Sequence, residues 1–441
     1  METAPVVLND VLDKRRIGGF QVGLIAICAG VLFFDGFDAQ AISYVAPSIV
    51  REWNLPPGEL GPVFSAGLFG LMLGALFIAP LADRFGRRPV ILASTAAFGV
   101  FTLATAWASS VDQLLLLRFL TGLGLGGCMP NAVALTSEYS PARSRAFLVM
   151  LMFNGFSVGS LVGGLLAAQV IPTVGWRAVF VAGGVLPLAA VPLLYFVLPE
   201  SIRFLAVSGR SPGKVARLLN RLAPGLGATA ETPVTVEKSS AGRMSVRDLF
   251  REGRATSTML LWVIFFMSLL DLYMLVNWLP TLMSTVGAPL RTAVLLGALL
   301  QVGGIVGALL LGFIVDRKGP GAALIPAYLV AAACIVGIGF FAAASLPFTT
   351  LAVFGAGLGV IGGQIASNAI AASVYPTEIR STGVGWALGI GRIGSIVGPA
   401  IGGVLVGMET PVNDIFFLSA GPALIAALAA AALAAHKRRS A

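Results

Sequence analysis

Gly74-Ala-Leu-Phe-Ile-Ala-Pro-Leu-Ala-Asp83-Arg84-Phe85-Gly86-Arg87-Arg88 runs from an apolar segment straight into a tight turn crowded with charge. From Leu60 to Ala82 there is no charged residue. As a helix, that length crosses a hydrocarbon core about 30 Å thick. The turn then sets one acid among three arginines. The pattern returns 233 residues on, where Gly307-Ala308 and Asp316-Arg317-Lys318-Gly319 stand in the same order. An apolar run closed by a basic turn, met twice at that distance, predicts a membrane chain built of two similar halves.

Working outward, twelve apolar stretches emerge: about 18–47, 59–82, 89–108, 112–137, 145–171, 177–198, 256–284, 291–315, 320–344, 347–373, 382–407 and 412–435. The chain of 441 residues is 57% hydrophobic and 11% charged, against about 25% charged in soluble domains. Further matches support the repeat: Pro141 and Arg145 with Pro376 and Arg380, and Gly159-Ser160 and Gly163 with Gly394-Ser395 and Gly398, all at an offset of 235. The expected architecture is an all-α polytopic membrane protein, with twelve transmembrane helices in two six-helix halves. Its divisions are residues 1–17, an N-terminal half 18–198, a central loop 199–255, a C-terminal half 256–435 and a tail 436–441. Repeated halves with substrate bound between them are the plan of an alternating-access carrier.

Charge sets the expected orientation. With the N-terminus inside, 24 of the 29 Lys and Arg fall on the inner side. The outer loops hold Arg51, Arg177 and Arg291, and the spans hold Arg118 and Arg392. That asymmetry follows the positive-inside rule. It assigns the net charge of +9 to anionic lipid at the inner surface, not to nucleic acid. Lys14-Arg15-Arg16 precede an apolar run too long for the core of a cleaved leader. Within the central loop, Val215, Leu218, Leu219 and Leu222 alternate with Lys214, Arg217 and Arg221. They predict a short amphipathic helix lying along the inner surface. Pro224 to Gly242 is expected to be turn-rich and mobile.

Two acids stand out in the first span, within Phe34-Asp35-Gly36-Phe37-Asp38. On a helix they share a face, far from either membrane surface. Two ionised carboxylates that close in low dielectric repel, so one of them is expected to take a proton. The alternative is a structural ion pair. Arg118 lies about 8 Å and Asp38 about 13 Å from the outer ends of their helices, so the two are placed to pair. Arg392 lies about 15 Å into its span, among Gly389, Gly391 and Gly394, and a guanidinium grips a carboxylate in bidentate fashion. It is the expected anchor of an anionic substrate; the alternative is a static pair with Asp271 or with an acid of the first span. The three cysteines lack metal or redox spacing and the single histidine, His436, is in the tail. No cofactor, metal site or enzymatic constellation is expected, and the expected functional unit is a monomer.

Gly74 to Arg88 resembles the signature loop between helices 2 and 3 of the major facilitator superfamily. Arg118-Phe-Leu-Thr-Gly-Leu-Gly resembles its helix 4 motif. A narrower resemblance is to the aromatic acid:proton symporters of that superfamily. It rests on Asp35-Gly-Phe-Asp38, Gly122 to Asn131 with Thr136-Ser-Glu-Tyr139, and Asn277-Trp-Leu-Pro-Thr281. Tyr375 to Gly383 and Gly391-Arg-Ile-Gly394 add to it, and Pro199-Glu-Ser201 is shared more broadly. The resemblance implies proton-coupled uptake of benzoate-like acids by alternating access. Asp35, Asp38 and Arg118 are then the proton-coupling candidates. Arg392 and Asp38 would meet the substrate carboxylate. Phe34, Phe37, Tyr44, Tyr273, Trp278 and Trp386 would wall its ring. Asn131, Asn154, Asn277, Gln364 and Asn368 would meet its hydroxyls.

The turn Asp83, Arg84, Gly86, Arg87 and Arg88 is the expected gate, with Asp83 capping a neighbouring helix and pairing with arginine. Glu138 and Arg145, Asp316 and Arg317, and Glu378 and Arg380 are its expected counterparts. A sugar or other organic-solute carrier and a proton-driven drug exporter of the same superfamily remain the alternatives, as do one or two protons per substrate.

Overall fold

A computed structural model describes residues 6–13, 17–209, 211–235, 246–251, 253–375 and 379–440. Twelve helices in it are long and apolar enough to cross a membrane. We number them α1 Gly19–Trp53, α2 Pro57–Phe85, α3 Arg87–Thr105, α4 Val111–Glu138, α5 Arg145–Val174, α6 Arg177–Val197, α7 Ala255–Thr285, α8 Leu290–Lys318, α9 Pro320–Phe341, α10 Leu346–Val374, α11 Arg380–Gly407 and α12 Val412–Ser440. Their ends fall within a few residues of the expected ones, except that α1 continues past Pro47 to Trp53. Neighbouring helices re-satisfy the backbone that an intramembrane proline frees.

The halves pack alike. In the first, α1 lies on α5, α2 on α4, and α3 on α4 and α6; in the second, α7 lies on α11, α8 on α10, and α9 on α10 and α12. Without a hydrophobic drive between helices in lipid, close contact depends on small residues. Gly70, Gly74, Gly122 and Gly126 supply it between α2 and α4, where an added Cβ would come within 2.0–2.2 Å of a carbonyl oxygen of the facing helix.

The halves meet along α1–α7, α2–α11 and α5–α8. Along α1–α7 the repeat contacts itself. The Ser43 hydroxyl donates to the Val276 carbonyl at 2.6 Å, and the Arg51 guanidinium to the Ser284 hydroxyl at 2.7 Å, each pair 233 residues apart. Ser65 donates to the Ile396 carbonyl, and Gly58 and Gly61 lie against Gly403. These contacts sit at the end away from the Asp83–Arg88 turn, so that end is closed. The end holding the turn is called the basic end below.

The central loop forms helices Ile202–Ser208 and Pro212–Leu222, and its Val234–Thr235 pairs in parallel with Val6–Val7. The amphipathic helix is present, but its apolar side is not turned to lipid. Val215, Leu218 and Leu219 are buried with Leu8, Tyr139 and Ile202 of the N-terminal half. Residues 236–245 lie outside the described residues. Up to residue 235 the loop is tied down, because the Asn220 amide both donates to and accepts from the backbone of Ala228 at 2.9 Å.

Candidate functional site

The two acids of α1 have opposite surroundings. Asp38 is 1% exposed and Arg118 3%. The Arg118 Nη1 donates to both Asp38 carboxylate oxygens at 3.3 and 3.2 Å, and the Thr102 hydroxyl donates to Oδ1 at 2.5 Å. The other guanidinium nitrogen donates to Thr105 and Thr121 at 3.2 and 3.1 Å. Its plane lies over the Phe180 ring, 4.9 Å from the centroid. A buried ion pair holds only when its remaining hydrogen-bonding groups are met, and α3, α4 and α6 meet most of them here. The pairing placed by helix depth is present in this conformation.

Asp35 is 0% exposed, and neither carboxylate oxygen has a hydrogen-bond partner. Gly36 beside it lies against the Phe156 carbonyl. The charges that act on Asp35 are Arg392, from the other half, and Asp38. Arg392 is half-buried. Its Nη2 lies 3.8 Å from the Met129 sulfur of α4, and no carboxylate lies within ion-pair distance of it among the described residues. The static pair that was its alternative is therefore absent in this conformation. Its surrounding glycines serve another end than expected: Gly391 and Gly394 seat α11 on α7, leaving open space only at Gly389.

Asp271 lies on α7, 1% exposed, with its Oδ1 unpartnered. One turn earlier, Ser268 accepts a hydrogen bond from the Tyr328 hydroxyl at 2.9 Å, which also meets Ser367 at 2.8 Å.

Several expected ring and hydroxyl contacts are committed to the fold. The Tyr44 hydroxyl donates to the Ser160 carbonyl at 3.0 Å, and its ring fills the space above Gly164 and Gly297. Trp278 donates to the Pro399 carbonyl at 2.9 Å and meets Phe64 edge-on at 5.2 Å. Asn277 bonds the Tyr273 carbonyl of its own helix at 2.7 Å. All three belong to the closed end, where their burial serves closure in place of the expected substrate wall. Asn131 donates to the Ala79 and Gly127 carbonyls at 3.2 and 2.8 Å. Ala79 stands where α2 passes from a wide π turn, Gly74–Ile78, to a tight 3-10 turn at Pro80, a break that disturbs the backbone ladder.

Phe37 is buried against Gly163 and Gly183. Trp386 is 42% exposed and stacks on Trp262 at 6.0 Å. It shares a helix face with exposed Ile393 and Val404, which is a lipid-facing stripe, so the expected substrate contact gives way to an interfacial one. Phe34, Asn154 and Tyr273 are half-buried and Asn368 is exposed. Gln364 keeps a buried carbonyl oxygen without a partner.

At the basic end the expected turn is built as a cluster. Arg87 bridges Asp83 at 2.9 Å and Glu138 at 3.4 Å. Gly86 has φ +100°, and a Cβ there would meet the Glu200 carboxylate at 2.2 Å. The cap of α3 is not Asp83 but Glu200, whose Oε1 accepts from the backbone N–H groups of Arg87 and Arg88 at 2.7 and 3.2 Å. Ser201 bonds Glu138, and the Tyr139 hydroxyl donates to the Glu200 carbonyl at 2.6 Å. The signal for Glu200 was in the Pro199-Glu-Ser201 motif; only the fold brings it 113 residues back to the turn. Arg84 is exposed over the Phe85 ring, Arg145 reaches the Ser140 carbonyl at 3.4 Å, and Arg317 lies over Phe313. Glu378 and the side chains of Asp316 and Arg380 lie outside the described residues.

Known proteins match this arrangement. The Major Facilitator Superfamily profile covers residues 28–399. A gallate transporter of Pseudomonas putida is 41% identical over 97% of this chain and 94% of its own. The 4-hydroxybenzoate transporter PcaK of Acinetobacter baylyi is 42% identical over 97% of this chain and 93% of its own. Among solved structures, a D-xylose-proton symporter superposes with a TM-score of 0.70 at 18% identity, covering 93% of this chain and 96% of that one. Twelve apolar helices in two like-packed halves, a family profile over most of the chain and near-full-length transporter relatives together place it: the chain is a multi-pass membrane protein that belongs to the major facilitator superfamily.

Proposed function

We propose that this protein carries an aromatic carboxylate, a hydroxybenzoate or a close relative, across the cell membrane together with a proton, by alternating access. One observation carries the reading: Arg392, on one half, has no carboxylate partner, while Asp35, on the other, has no hydrogen-bond partner, and the charge of each acts on the other. The names of the relatives, gallate and 4-hydroxybenzoate transporters, supply the substrate class.

The coupling follows from charge. An isolated ion in the membrane interior is costly. When a substrate carboxylate takes Arg392 in a bidentate grip, an ionised Asp35 loses its nearest available cation and must hold a proton. When the substrate leaves, Asp35 can release the proton and answer Arg392 itself. Either ligand alone leaves an unbalanced charge between the halves, so closure requires both. Asp38 is a poor proton carrier beside Asp35, because Arg118 and Thr102 already satisfy it. Gln364, with its free carbonyl oxygen, is suited to accept from a substrate hydroxyl. One anion with one proton is electroneutral.

The basic end is the cytoplasmic side of the inner membrane in this reading, by the positive-inside rule, and both termini lie there. The conformation closed at the opposite end is then inward-facing. The Asp83–Arg88 cluster, which ties α2, α3, α4 and α6 together, holds the N-terminal half rigid as it rocks.

The test is uptake of labelled 4-hydroxybenzoate into proteoliposomes with an imposed pH gradient. Accumulation should follow the gradient and be competed by benzoates but not by sugars. Arg392→Ala should weaken substrate binding about a hundredfold, and Arg392→Lys about tenfold, through loss of the fork geometry. Uptake indifferent to the gradient removes the symport, and normal transport by a well-expressed Arg392→Ala removes the carboxylate site.

A further inference from the structure

A second groove lies outside the carrier pathway. Helix Pro212–Leu222 spends its apolar side on the N-terminal half, as described above, and turns Lys214, Arg217 and Arg221 outward, all three exposed. Among the described residues none of these cations forms an ion pair. Between this helix and the basic ends of α3 and α6 opens a groove of about 470 Å³, which the three cations line.

The opposite wall is apolar. Leu92 of α3 and Leu198 after α6 form its floor. Tyr195 and Phe196, on the last turn of α6, are 56% and 82% exposed. These two rings belong to a membrane-spanning helix, so the groove runs from the hydrocarbon edge to the charged surface. Arg88 closes the near side; it donates to the Tyr195 carbonyl and lies over the Tyr195 ring at 4.9 Å. The acid in the lining, Glu200, does not neutralise the linker cations, because one of its oxygens already accepts from the backbone of Arg87 and Arg88. The result is a cradle with unpaired positive charge at one end and an exposed apolar wall at the other, at the depth where a bilayer changes from head group to chain.

We propose that this groove binds one anionic phospholipid of the surrounding membrane, its phosphate on Lys214, Arg217 and Arg221 and an acyl chain along Tyr195 and Phe196. Charge complementarity selects the head group, and the exposed wall of α6 selects a ligand with a chain. The bound lipid ties the linker helix to α3 and α6, beside the Glu200 cap. Each cation contributes about fivefold to the affinity, and the three together about a hundredfold.

The experiment uses the purified full-length protein in neutral detergent, followed by thermal unfolding and by native mass spectrometry. Phosphatidylglycerol should raise the melting temperature and remain bound, whereas phosphatidylcholine and inorganic phosphate should not. Lys214→Gln/Arg217→Gln/Arg221→Gln should melt as the parent does in phosphatidylcholine, yet need about a hundredfold more phosphatidylglycerol for the same rise. Should the triple variant melt early on its own, Arg221→Gln alone should need about fivefold more. An unchanged phosphatidylglycerol dependence in a folded variant overturns the site. Equal stabilisation by inorganic phosphate overturns the lipid, and equal stabilisation by phosphatidylcholine overturns the role of charge.

Discussion

The two halves place a carboxylate at the same point of the repeat and treat it in opposite ways. Asp38 of α1 and Asp271 of α7 stand 233 residues apart, the offset that relates the two basic turns. Around Asp38 the N-terminal half sets Thr102, Thr105, Arg118 and Thr121. At the corresponding positions the C-terminal half has Ile335, Ile338, Val353 and Ala356, all fully buried. Asp35 corresponds to Ser268. In the first half the unpartnered acid stands one turn before the paired one; in the second, a serine bonded to Tyr328 stands one turn before the unpartnered acid. One backbone plan therefore holds an ion pair in one half and an uncompensated acid in the other. The difference teaches that a costly intramembrane acid is not by itself a proton site; its neighbours decide whether it is locked or free.

The comparison can be broken most sharply at Arg118. Arg118→Leu strands Asp38 as an unpaired buried charge and should cost about 3–5 kcal/mol, seen as loss of folded protein in thermal melts. Much of that should return in the double variant Arg118→Leu/Asp38→Asn. Full stability of the single variant would show that Asp38 is not ionised there. Next in size is Asp35→Asn, which mimics the protonated acid. It should reduce gradient-driven accumulation of 4-hydroxybenzoate more than tenfold while leaving counterflow exchange intact, and retained accumulation would move the proton elsewhere. Tyr328→Phe removes the hydroxyl that joins Ser268 to Ser367 and should destabilise by about 1 kcal/mol, measured in the same melts. The smallest effect is expected for Asp271→Asn. With no cation to abandon, it should change stability by less than about 1 kcal/mol or raise it. A loss as large as that of Arg118→Leu would reveal a partner for Asp271 and erase the contrast between the halves.

Much of this was legible along the chain. Apolar runs, a repeated basic turn and a lopsided charge count suffice for twelve spans and two halves, because in lipid only a long apolar helix satisfies its own backbone. The pairing of Asp38 with Arg118 was legible too, since depth along a helix is a count of residues. Other features were not. Trp386 and Trp278 look alike as intramembrane tryptophans, but one stands on the lipid stripe and the other closes the interface, a matter of which helix faces which. Asn131 looks like a ligand for a hydroxyl, but it meets a carbonyl where α2 breaks.

The sequence by itself determined the number of spans, the repeat and the residue types available for charge chemistry, because hydrophobicity, charge and periodicity are properties of the chain. Tertiary structure alone decided which of those charges are already answered. Glu200 caps the turn in place of Asp83, Arg118 holds Asp38, and Arg392 and Asp35 are left facing a partner still to come. Compensation of a buried charge depends on groups brought from distant helices, and no spacing along one helix records it.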